Sequence, residues 1–191
     1  METILHATPA PAYPPRATLI LGAEPPLTPP SLLRRLNPGL AVRICDAAGD
    51  EGLDAIVAPY GERRPGWRSA PLWSEPLAVY VGPDHALATR PALEPADLAG
   101  AALITCGAWT GTVLANLGAS PAHIHYSGDW RDVAALVAEG FGVAIAGCSA
   151  AETFAPRVLR IPIDGWLTYC AYWPEGGDTP ALRRLLEHPH G

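Results

Sequence analysis

A chain of 191 residues, 49% of them apolar and 17% charged, can bury a sizeable core, which excludes a disordered or low-complexity protein. The net charge is −6 and all 13 basic residues are arginines scattered without a cluster, so no phosphate-binding surface and no direct nucleic-acid contact are expected. No apolar run reaches the ~20 residues of a membrane span. Residues 1–15, METILHATPAPAYPP, have neither the basic nor the apolar segment of a secretory signal, so the sequence reads as a cytoplasmic protein without membrane contact.

Residues 1–16 are rich in proline and alanine and read as a flexible arm. Thr18–Gly22 is the first expected strand, and Thr28-Pro29-Pro30-Ser31 opens a helix whose apolar face is Leu32, Leu33 and Leu36. Asn37-Pro38-Gly39 ends that helix, and Leu40–Cys45 and Leu53–Val57 follow as strands. Gly61–Ala70 is a polar loop, and Pro71–Val81 is a strand that leaves one lobe and enters another.

The second lobe holds a strand at Ala102–Thr105, a short helix at Thr112–Leu117 and a strand at Ile124–Tyr126. Asp129 is a helix cap, and Val133, Leu136 and Val137 recur at helical spacing on one face. Gly140 ends this helix in the left-handed conformation, with Phe141 folding back on Leu136 in a Schellman-type turn. Val143–Ala146 is an unbroken apolar run, as expected of a strand covered on both faces. Ser149 and Glu152 are spaced as a capping box at the next helix. Val158–Pro162 then carries the chain back, Leu167–Trp173 is an aromatic-rich strand, and Thr179-Pro180 caps a terminal helix reaching Glu187. The fold class is α/β, with two lobes of the same β/α grammar: residues 17–77 plus 160–191 form the first and residues 78–159 the second.

The Leu136-Val137-Ala138-Glu139-Gly140-Phe141-Gly142-Val143-Ala144 segment resembles the effector-binding domain of LysR-type transcriptional regulators. Leu53-Asp54-Ala55-Ile56-Val57, the strand Leu72–Val81, Pro83-Asp84-His85-Ala86-Leu87-Ala88 and Asp97-Leu98-Ala99-Gly100 are similar to further motifs of that family, in the same order. The resemblance implies two Rossmann-like lobes joined by two crossing segments, the type 2 periplasmic-binding-protein fold, with a small organic effector held in a cleft between them. Two departures stand out. The family's winged helix-turn-helix and linker helix have no counterpart in these residues, and only Ala47–Gly52 stands where the family has a full pairing helix. A homodimer, or pairing with a related regulator, is the expected assembly.

In parallel sheets ligands bind beyond the carboxyl ends of the strands, where helix N-termini present free N–H groups. Here those ends place Glu24, Tyr60, Thr105, Cys106, Trp109, Thr110, Ser127, Trp130, Cys148 and Ser149 as candidate ligand contacts. Each has a structural alternative. Trp109 and Trp130 either wall a cleft or close the core. Thr105 and Ser127 either bind a ligand or cap locally. An enzyme on the same fold, a lyase, dehydratase, isomerase or cyclase, would use Glu24 or Asp129 as its acid or base, and Asp129 is equally a helix cap.

Cys45, Cys106, Cys148 and Cys170 form no C-x-x-C pair and read as reduced core thiols. His123 and His125 share a strand face, but no third ligand can be placed, so no metal is expected. Neither a P-loop nor a G-x-G-x-x-G sequence is present, and no cofactor is expected.

Overall fold

The structure is a computed structural model that describes residues 18–23, 36, 41–46, 52–61, 65–154 and 157–187. In chain order its elements are β1 (Leu19–Ala23), β2 (Val42–Asp46), β3 (Ala55–Pro59), β4 (Trp67–Val81), β5 (Ala102–Thr105), α1 (Trp109–Leu117), β6 (His123–Tyr126), α2 (Trp130–Ala138), β7 (Val143–Gly147), α3 (Ala151–Phe154), β8 (Leu159–Pro174) and α4 (Pro180–Glu187). Contacts divide the chain into two units, one spanning Ser74–Leu167 and the other holding the described residues up to Trp73 and from Thr168 onward. β4 and β8 each run through both units. The expected flexible arm and the helix opening at Thr28 lie outside the described residues.

The first unit orders its strands β2-β1-β3-β8, with β1 parallel to both neighbours and β3 antiparallel to β8. All five residues of β3 are buried, which its unbroken apolar sequence requires. Asp54, just ahead of β3, accepts the Ile20 N–H at 2.7 Å and so ties the start of one strand to its neighbour. Trp73 stacks on Tyr169 at 5.1 Å between centroids. Thr179 caps α4 as its sequence predicts, its hydroxyl accepting the Leu182 N–H at 3.1 Å, and the helix buries Ala181, Leu182 and Leu185.

Cys170 lies in this core beside Ile56, Ala58 and Tyr172. Burial pushes its thiol up to about 11, partly offset by a hydrogen bond with Tyr172. None of the four cysteines forms a disulfide.

The second unit orders its strands β4-β7-β5-β6. β4 is antiparallel to β7, while β5 is parallel to both β7 and β6. Every residue of β7 is buried. Asp129 caps α2 by accepting the Arg131 N–H at 2.7 Å. The exit from α2 is a complete Schellman motif: Gly140 N–H donates to Val137 O and Phe141 N–H to Leu136 O, both at 3.0 Å, with Gly140 at φ +80°. His85 caps the short 3-10 turn Ala86–Thr89, its Nδ1 accepting the Leu87 N–H at 3.2 Å.

Four local expectations are corrected. Leu136 does not belong to the buried face of α2, which is Trp130, Val133 and Val137; it is 36% exposed because it lies one step round the helix from Val137. α1 starts at Trp109, a turn earlier than expected, because Trp109 and Thr110 are core residues that anchor the first turn. β4 starts at Trp67, inside the expected polar loop. The two strands expected after Pro156 are one continuous strand, β8; Gly165 lets the chain pass Leu117 and Leu77, whose side chains leave no room for a Cβ.

Two outcomes follow. Gly140→Ala meets no neighbour within 4 Å, so its cost is that of an L-residue in the left-handed region, about 1 kcal/mol in urea unfolding. Since the folded chain holds the Cys170 thiol above its ordinary value of 9.0, the unfolded chain ionises first; stability should fall as pH rises from about 9 to about 11, less steeply in Cys170→Ala.

Candidate functional site

β5, β6 and β7 are parallel, so they end on the same edge of the second unit's sheet, at Thr105, Tyr126 and Gly147. Ser127 continues the ladder for one residue, its N–H donating to Thr105 O at 2.7 Å. β4 runs the other way and pairs Leu77 with Gly147, which carries Glu75 to the same edge.

The expected contacts separate into two layers. Thr105, Trp109, Thr110 and Trp130 lie beneath the surface, between 1% and 5% exposed. This corrects the reading in which Trp109 and Trp130 wall a cleft: both indoles close the core of their unit. Trp130 packs edge-on to Phe154 at 5.3 Å, and Phe154 stacks on Tyr80 at 4.2 Å. The indole of Trp109 folds back over Gly107, where a side chain would overlap it. Neither Trp109 Nε1 nor Trp130 Nε1 has a hydrogen-bond partner among the described residues, although both are buried. The hydroxyls of Thr105 and Thr110 bond to each other at 2.7 Å, and Thr105 Oγ1 also accepts the Gly107 N–H at 3.2 Å. These hydroxyls shape the β5–α1 turn.

Cys106, Ser127, Cys148 and Ser149 form the upper layer and are half-buried. α1 begins directly after Cys106-Gly107-Ala108, and Ala108 supplies no side-chain cap. The Thr110 and Gly111 N–H groups of its first turn bond instead to the carbonyls of Gly107 and Ala108, at 3.3 and 3.2 Å.

Glu75 is the residue that sequence reasoning missed. It is 3% exposed, Oε1 accepting Ser149 Oγ–H at 2.7 Å and Oε2 the Ser149 N–H at 3.1 Å. The expected capping box is corrected accordingly: the Ser149 hydroxyl is turned to Glu75, and Gly147 caps the 3-10 turn Cys148–Ala150. A side chain on Gly147 would overlap the Glu75 carboxyl group, so the pair fits only with glycine. Tyr80 secures the same turn, its hydroxyl donating to Gly147 O at 2.8 Å and reaching Cys148 O at 3.3 Å. Burial, reinforced by Cys148 and Glu75, holds the Tyr80 phenol well above its usual range, so it stays a neutral donor. A signal for Glu75 was present: around it exposed and buried residues alternate, and an acid falls on the buried phase with Leu77.

Three other candidates remain. Glu24 lies outside the described residues. Tyr60 belongs to the first unit and is 57% exposed. Asp129 uses Oδ1 to cap α2. No cluster of three or more metal-ligating side chains occurs among the described residues.

Comparison with known proteins now bears on this arrangement. The family profile of the LysR substrate binding domain matches residues 27–189. The chain belongs to that family. Among solved structures it is similar to the effector-binding domain of a BenM variant, at 18% identity over 89% of this chain and 91% of that one, with a TM-score of 0.66. The reduced OxyR regulatory domain from Pseudomonas aeruginosa gives 20% identity over 89% and 95%, with a TM-score of 0.67. The BenM effector-binding domain with its effector benzoate gives 18% identity over 89% of each chain, with a TM-score of 0.63. No curated protein matches the sequence. The LysR substrate-binding domain thus has its expected fold, α/β of the type 2 periplasmic-binding-protein kind. No described helix is long and apolar enough to cross a membrane.

Replacing Glu75 by alanine strands the Ser149 N–H and hydroxyl in a partly buried site, and should cost about 2 kcal/mol in equilibrium unfolding. Ser149→Ala should cost less, because it leaves the backbone bond to Glu75 in place.

Proposed function

We propose that this LysR substrate-binding domain is an effector sensor, taking a small organic molecule at the strand ends of the second unit. The observation that carries the reading is the layer of small, half-buried side chains, Cys106, Ser127, Cys148 and Ser149, gathered at the ends of β5, β6 and β7. Donors held in a poorly hydrated place favour a ligand that brings an acceptor, a carbonyl or carboxyl oxygen. Half-buried Cys106, Ser127 and Cys148 supply the contact surface, and Ser149 is held in position by Glu75. BenM, with its effector benzoate, is a structural relative that works as such a domain, which supports the reading.

A ligand acts by binding one conformation better than another, so the signal is a shift in population rather than a reaction. Among the described residues at these strand ends, Glu75 is engaged by Ser149 and Asp129 caps α2. We further propose that the domain acts in the cytoplasm, by pairing with itself or with a related regulator.

Differential scanning fluorimetry against small carboxylates, amides and ketones is the test. A ligand at 100 times its Kd should add about 2.7 kcal/mol of stability. Ser127→Ala, which removes a hydroxyl donor from that layer, should weaken that ligand by about tenfold, the worth of one hydrogen bond. Absence of any stabilising compound, or equal affinity in the variant, would count against the reading.

A further inference from the structure

We propose that His123 and His125 form a two-histidine chelate for a borderline divalent metal ion such as zinc, nickel or copper, on the exposed edge of the second unit's sheet. The two residues lie two apart on β6, so both side chains leave the same face of the strand. All four residues of β6 are exposed, and the strand stands last in the sheet, paired to β5 alone among the described residues. The imidazole rings are neighbours, with centroids 6.3 Å apart and planes tilted by 47°.

Metal geometry is within reach of that spacing. A zinc–nitrogen bond is about 2.1 Å long. Adding about 1 Å from nitrogen to ring centre puts each centroid about 3 Å from a shared ion, and at a tetrahedral angle two such rings stand about 5 Å apart, about 1 Å closer than the unbound pair. A small side-chain rotation therefore brings both nitrogens to one metal, and exposure leaves the side chains free to make it.

The donor set defines the class of ion. Neutral imidazole suits zinc, copper and nickel, whereas calcium and magnesium demand oxygen ligands. With no third metal-ligating side chain clustered among the described residues, water fills the other positions and the site stays open. Two nitrogens on one rigid strand still act together, because once the first is bound the second binds at high effective concentration. The site is separate from the effector surface, but it sits on the strand that delivers Ser127 to that surface.

Isothermal titration of the intact chain with zinc chloride, and separately with nickel chloride, tests the assignment. The design must account for His188 and His190, which are also two apart. One metal per chain should bind and be released by an excess of a chelator such as EDTA. His123→Ala and His125→Ala should each weaken binding by about tenfold or more, while the double variant H188A/H190A should retain it. Exposed positions make the variants fold normally, checked by an unchanged thermal midpoint without metal. An H123A/H125A variant that titrates like the wild type, loss of binding in H188A/H190A, or no binding at all would each overturn the proposal.

Discussion

A buried acid holds together the edge of the second unit where β5, β6 and β7 end. Glu75 engages both the N–H and the hydroxyl of Ser149, and Tyr80 fixes the carbonyl side of the same turn through Gly147 and Cys148. One turn is thus gripped from two positions on β4, one offering acceptors and the other a donor. A buried polar group without a partner costs about 1–3 kcal/mol, so neither can be removed cheaply. The arrangement needs Gly147, because any side chain there would occupy the place of the Glu75 carboxyl group. Antiparallel pairing of Leu77 with Gly147 brings these residues together.

The same constraint accounts for the two layers at the strand ends. With the β7 turn pinned, Tyr80, Phe154 and Trp130 stack as a continuous aromatic series beneath it. Large indoles that close the core leave small side chains at the surface: Cys106, Ser127, Cys148 and Ser149. Small residues over a packed aromatic floor suit recognition, because little side-chain entropy is lost on binding. The buried threonine pair serves the same end, shaping the turn into α1 without offering a hydroxyl outward.

Much of the fold was legible because it is written in local chemistry. β5 follows its apolar run, the Schellman exit from α2 follows from Gly140, and the caps at Asp129 and Thr179 are where short polar side chains precede apolar helices. What was not legible depends on partners distant in sequence. Ser149 carries the local signature of a capping box with Glu152, yet a carboxyl group 74 residues away takes its hydroxyl. Trp109 and Trp130 fall at strand ends, where sequence cannot say whether an indole turns outward or inward; the edge-on contact of Trp130 with Phe154 and the gap left by Gly107 beside Trp109 decide it. Likewise β8 runs on through Gly165, where the chain passes two leucines distant in sequence.

Glu75 shows why a polar residue in an apolar strand should be weighed by its phase before its hydropathy. Ser74 and Pro76 are exposed, and the acid between them shares the buried phase with Leu77. Desolvating a carboxyl group costs several kcal/mol unless donors wait for it, so an acid on that phase implies a partner even before the partner is known. The donors are supplied by the turn after β7, the part of the second unit that must keep its shape if a small molecule is to be read there. The acid is therefore better understood as a strut of the candidate site than as one of its reactive groups: both of its oxygens are already engaged by Ser149.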